Sequence, residues 1–158
     1  MKYLKISGLA LLFLILIIKV PAQQTATINE PDLNKPTLFD SFPDKIPVDI
    51  NELKSFFSNE AAKGADVQLK FVDKKLPGFA GKIVSTSSKY NNTLRSVVIR
   101  STRFNGATLT LSSSTTTDGA AFYTGRIISF QHGDLFVLKK ENDHYYLIKK
   151  KYHELINE

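Results

Sequence analysis

The sequence predicts an α+β fold that is mainly β. One N-terminal amphipathic helix packs on a strongly bent antiparallel meander of six to seven strands, half-barrel or barrel-like. Three observations carry this prediction. From Asp66 to Lys150 apolar and polar residues alternate with period two, interrupted at short intervals by turn-forming residues. Those interruptions are too short for right-handed parallel crossovers, so successive strands must pair antiparallel. Finally, FAGKIVS at 79–85 and YTGRIIS at 123–129 each set a glycine on the packed face of a strong strand sequence. Missing side-chain volume there lets a strand bend or a neighbour come close.

The elements follow in chain order. Lys2 and Lys5 precede an apolar run from Ile6 to Ile18, and Val20-Pro21-Ala22 closes it with small residues. This is the pattern of a secretory signal peptide, 1–22, cut after Ala22. The run is shorter than the roughly 18–20 apolar residues needed to cross hydrocarbon, so no membrane span is expected after cleavage; a retained anchor is the alternative. Residues 23–36, with Pro31 and Pro36 and few large apolar side chains, read as a flexible leader. A single β-rich domain, 37–158, follows. Its first stretch, TLFDSFPDKIP, lies extended and docks Leu38, Phe39, Phe42 and Ile46.

The helix is expected over 49–63. Asp49 caps it, Glu52 reaches back as in a capping box, and Val48 and Leu53 occupy the staple positions. Ile50, Leu53, Phe56, Phe57 and Ala61 form its apolar stripe, and Lys63-Gly64 ends it. Strands are expected at 66–73, 79–86, 94–101, 107–113, 120–130, 134–140 and 144–150, and the tail adds a last helical turn. The breaks are Pro77-Gly78, 89–92 (KYNN), Asn105-Gly106, 117–119 (TDG), His132-Gly133 and 141–143 (END), all tolerant of tight-turn dihedrals. Phe79, Gly81, Ile83 and Ser85 share one face of their strand, as do Tyr123, Gly125, Ile127 and Ser129; Lys82 and Arg126 face the other way.

Composition narrows the function. The chain has 21 Lys and Arg against 15 Asp and Glu, but Lys2, Lys5 and Lys19 lie in the signal, leaving 18 against 15. That balance argues against a nucleic-acid partner. The absence of cysteine removes disulfides, thiol catalysis and cysteine zinc sites, and in an exported chain it fits a bacterial periplasmic or secreted protein. No G-x-S-x-G, H-E-x-x-H, Walker or EF-hand pattern occurs, so neither a catalytic residue nor a cofactor is expected.

Three surfaces remain. If Asn142-Asp143 is a two-residue turn, His132 falls opposite His153 and Asp134 opposite Lys151, and the two imidazoles with Asp134 are the candidate metal ligands. Asp134 is more simply explained by Lys151, and the histidines by solvent. Lys139, Lys140, Lys149, Lys150 and Lys151 interleave with Tyr145 and Tyr146 into a basic, aromatic surface; lysines on such strands also guard against edge-to-edge pairing. Phe56, Phe57, Phe71, Phe79 and Tyr123 would line a pocket on the concave face if the domain carried a hydrophobic ligand, and otherwise form core.

From FAGKI through RSVVIR, FNGATLTL and YTGRII to HYYLIKK, the chain resembles the β-rich N-terminal pro-region of secreted bacterial zinc metalloendopeptidases. It is also similar to small uncharacterised exported proteins of Bacteroidetes-type bacteria. The first resemblance implies a folding-aid or inhibitor role and carries over no functional residue. The expected function is that of an exported, non-enzymatic and monomeric binding module, with a protein or cell-envelope component as partner. The alternative is a small hydrophobic-ligand carrier.

Overall fold

The tight turns set the frame. Asn142 and Asp143 both take positive φ, 48° and 63°, as the primed turns that match strand twist require. They join β7 (Asp134–Glu141) to β8 (His144–Lys151) in the register expected, with Glu141 opposite His144 and Asp134 opposite Lys151. In the computed structural model, which describes residues 34–58, 62–117 and 119–155, the same logic repeats along the chain. The strands are β1 (Lys45–Val48), β2 (Asp66–Leu69), β3 (Phe79–Lys89), β4 (Leu94–Ser101), β5 (Ala107–Thr115) and β6 (Ala121–Ser129), then β7 and β8. All pair antiparallel in one sheet of order β1-β8-β7-β6-β5-β4-β3-β2, curled into a half-barrel. The segments expected to be signal peptide, 1–22, and leader, 23–36, lie outside the described residues except for the last three positions.

Three expectations need correction. The sheet has eight strands, because Lys45–Val48 pairs with β8 despite Pro47, which an edge strand tolerates. The helix, α1 (Ile50–Ser55), is six residues long instead of reaching residue 63, with 59–61 outside the described residues. Its hydroxyls explain the early stop: Ser55 Oγ donates to the Glu52 carbonyl and Ser58 Oγ to the Ser55 carbonyl, while Phe57 N turns back to the Lys54 carbonyl. These short-range bonds compete with the helical ladder. Asp49 does cap, accepting from Asn51 N at 2.7 Å, but Glu52 reaches Lys70 N instead of closing a capping box. Third, a β-bulge at Val84 shifts the register, so that Ile83 pairs with Ile99 and Ser85 with Val98. Ser85 therefore leaves the packed face and is exposed.

Both template glycines sit where the sheet needs them. A Cβ at Gly81 would land on the Arg100 carbonyl oxygen, and one at Gly125 would lie 2.6 Å from the Thr110 carbonyl. Neighbouring strands thus approach closer than any side chain permits, as in a tightly curled sheet.

The concave side is filled by the chain's own rings. Residues 35–44 cross the end of the half-barrel and insert Phe39 and Phe42, 1 % and 7 % exposed, against Phe71, Phe104 and Phe136. Phe39 meets Phe136 with centroids 5.1 Å apart, and Phe79 stacks on Phe104 at 5.9 Å. Polar bonds hold this strap. Both oxygens of the buried Asp134 carboxyl accept backbone N–H bonds, from Leu38 and Phe39, at 2.7 Å each. Gly133 N donates to the Pro36 carbonyl, Lys149 N to the Asp44 carbonyl, and Lys149 Nζ to the Phe42 carbonyl. Lys35, inside the stretch expected to be leader, docks as well: its Nζ donates to the Phe130 carbonyl and lies over the Tyr152 ring.

The β3–β4 connection holds Tyr90, Asn91 and Asn92 at φ of 52°, 53° and 68°. Asparagine tolerates this region; tyrosine does so at a cost of about 1 kcal/mol. The Tyr90 ring is 75 % exposed and gains little packing in return. Tyr90→Gly is therefore expected to stabilise the fold by about 0.5–1 kcal/mol, read as a higher urea midpoint at unchanged slope. A lower midpoint would show that the ring is used in packing.

Candidate functional site

The two edges of the sheet, β1 and β2, do not pair with each other, and the chain between them builds a concave surface. Asp49 ends β1 and starts α1, whose Leu53 is fully buried while Ile50 stays 39 % exposed. Beyond β2 the chain crosses toward β1: Glu52 takes Lys70 N at 3.4 Å, and Val72 N donates to the Pro47 carbonyl at 3.4 Å. These bonds draw β2 to its stop at Leu69, short of the expected 73, and leave Val72 58 % exposed.

Two depressions meet along this seam and share Asp49 and Val72. One, about 490 Å³, is walled by Glu52, Lys70, Phe71, Lys74 and Leu76. The other, about 370 Å³, is walled by Pro47, Ile50, His144 and Tyr146. Apolar side chains and charges of both signs therefore line them together. On the β8 side Lys45 lies 4.0 Å from the Tyr146 ring centroid and pairs with Glu141, whose hydrogen bond raises the lysine pKa. At the turn the Lys140 ammonium holds the Asp143 carboxyl below its ordinary value, and Asp143 in turn raises Lys140.

The sequence-predicted residues distribute unevenly around this seam. Of the basic, aromatic surface, Tyr146 and the exposed Lys139 are cross-strand partners on the outer face. Tyr145 is a correction: it is 2 % exposed, points inward, and its hydroxyl oxygen accepts Tyr123 N at 3.1 Å. Lys149 and Lys150 are drawn to Asp44 and Glu154. Lys151 is exposed at the strand end. The ladder stops at Asp134 and Lys151, so pairing does not carry His132 to His153. His132 Nδ1 bonds with Ser129 Oγ at 2.7 Å, His153 lies in the final 3₁₀ turn (Tyr152–Leu155), and Asp134 is occupied by the strap. Among the described residues no group of three or more His, Cys, Asp or Glu is placed to hold a metal ion.

The five residues proposed for a carrier pocket, Phe56, Phe57, Phe71, Phe79 and Tyr123, are all core. Phe57 and Tyr123 are in ring contact at 5.8 Å, and Phe71 meets Phe42 at 6.4 Å. Burial raises the Tyr123 phenol above its ordinary pKa, against the Ser113 hydroxyl that hydrogen-bonds it. The seam itself escaped sequence reading. It joins residues from 47–52, 68–78 and 143–146, which no single stretch of the sequence brings together. Compared with protein-family models, curated proteins and solved structures, the chain matches none.

Proposed function

We propose that the chain is an exported, non-enzymatic binding module that engages a protein or cell-envelope partner through the β1–β2 seam. One observation carries this: Val72, exposed and shared by two adjoining depressions, and Ile50, exposed in one of them, stand among Asp49, Glu52, Lys70 and Lys74. Exposed apolar side chains beside charges of both signs are what protein partners use. The apolar middle of the concave face does not compete as a hydrophobic-ligand site, because the chain's own phenylalanines occupy it. Export to the periplasm or medium supplies the setting, and a pro-region-like or inhibitor-like grip on another protein is the form the sequence resemblance favours.

The test is capture of a partner from periplasm or medium by the tagged protein, repeated with Ile50→Glu/Val72→Glu. Both side chains are exposed, so the variant should keep its fold within about 1 kcal/mol. The expected result is a partner recovered by the parent and lost with the double variant. Repeated recovery of nothing, or equal recovery by both, overturns the reading.

A further inference from the structure

At the end of the half-barrel that carries the Tyr90 turn, the inward-facing rows of the sheet change character. Val97, Leu111 and Leu138 belong to the apolar lining. One row further out, pairing sets Ser88 beside Arg95, Arg95 beside Ser113, and Ser113 beside Tyr123. Cross-strand partners project to the same side, so a hydroxyl, a guanidinium, a hydroxyl and a phenol stand in line across four strands.

Arg95 is half-buried. Its guanidinium lies 5.7 Å from the Phe57 ring centroid, and among the described residues no carboxylate pairs with it. Among the described residues the paired cations are lysines: Lys45, Lys82, Lys140, Lys149 and Lys150 each find an acid. A pocket of about 260 Å³ opens beside Arg95, walled by Phe57, Ser88 and Asn92 among others.

We propose that this pocket binds a carboxylate carried on a small hydroxylated molecule, of the kind a uronate sugar presents. A planar guanidinium takes a carboxylate through two parallel hydrogen bonds, and one positive charge matches one negative charge. A phosphate dianion would leave about one charge uncompensated, since no lysine lines the pocket. Hydroxyl and amide walls both donate and accept, which suits the hydroxyls of a sugar better than an alkyl chain. The volume lies just below the roughly 300–1,000 Å³ of drug-sized sites, so the occupant is a single ring. This inference stands apart from the seam and does not depend on it.

Calorimetric titration of the purified protein decides the matter, with D-glucuronate, D-glucose, acetate and inorganic phosphate as probes. Glucuronate is expected to bind with Kd of about 1 mM, at least about tenfold tighter than each of the other three. Arg95→Gln should abolish the signal, and Arg95→Lys should weaken it about tenfold because an ammonium lacks the fork. The parent protein alone can overturn the proposal, whatever the variants do to folding. No heat with glucuronate, or phosphate, acetate or glucose binding as tightly, ends it. So does an unchanged Kd in a folded Arg95→Gln.

Discussion

Asp134→Asn is expected to destabilise the protein by about 3–5 kcal/mol, although the substitution is isosteric. The carboxyl at 134 is 4 % exposed and accepts from Leu38 N through one oxygen and from Phe39 N through the other. A carboxamide keeps one acceptor and turns the second into an NH₂ donor. One backbone N–H of the strap then faces another donor in a buried place, and a bond of the charge-assisted class is lost. The strap is also the segment that inserts Phe39 and Phe42 among Phe71, Phe104 and Phe136. Its release exposes a ring cluster worth about 1.5–3 kcal/mol per buried phenylalanine. Two readouts separate the local event from the global one: urea unfolding for total stability, and hydrogen exchange at the Leu38 and Phe39 amides for the strap alone. Asp134→Ala should lose as much, since it leaves both amides without an acceptor. A carboxamide variant within about 1 kcal/mol of the parent would sink the idea that Asp134 holds the strap.

That role was invisible in the sequence for a definable reason. Strand alternation and the Asn142-Asp143 turn correctly set Asp134 opposite Lys151, and an acid opposite a lysine looks explained. Nothing in a linear pattern displays the free amides of a loop 95 residues away. The strands themselves were legible because one face of each is buried, and burial imposes period two. The same rule, applied to HYYLIKK, sends Tyr145 inward with Leu147 and leaves Tyr146 outside with Ile148. Grouping the two tyrosines by adjacency with the lysines hid that alternation. β1 was missed because Pro43 and Pro47 read as breaks, yet an edge strand needs only half of its backbone groups paired. The helix was overextended because Phe56 and Phe57 continue a helical stripe, while Ser55 and Ser58 cap the carbonyls that would have continued the ladder. Both candidate sites depend on placement that no single segment holds. The seam joins the two ends of the sheet order, and the Arg95 row exists only once the β3, β4, β5 and β6 registers are fixed.

The curl of the sheet makes a prediction whose sign is informative. Gly81→Ala is expected to cost about 2–3 kcal/mol, and Gly125→Ala a similar amount. In a flat strand the same change would stabilise, because glycine in a strand interior is about 0.5–1 kcal/mol worse than alanine. Here the added methyl at 81 would land on the Arg100 carbonyl oxygen and lie 2.8 Å from Ile99 Cγ2; at 125 it would lie 2.6 Å from the Thr110 carbonyl oxygen and 2.7 Å from Leu111 Cδ2. In each case the nearest obstacle is backbone of a paired strand, which cannot swing aside as a side-chain tip can. At β3 and β4 the approach is also pinned, since Thr102 N and Ser101 Oγ both donate to the Ala80 carbonyl. Gly119→Ala is the control: nothing lies within 4 Å of its Cβ position, so only the φ of 82° opposes alanine, at about 1 kcal/mol. Urea midpoints for the three variants should therefore fall least for Gly119→Ala. A rise in midpoint for Gly81→Ala would mean that β3 and β4 run at ordinary strand spacing, and the curvature would then need another origin.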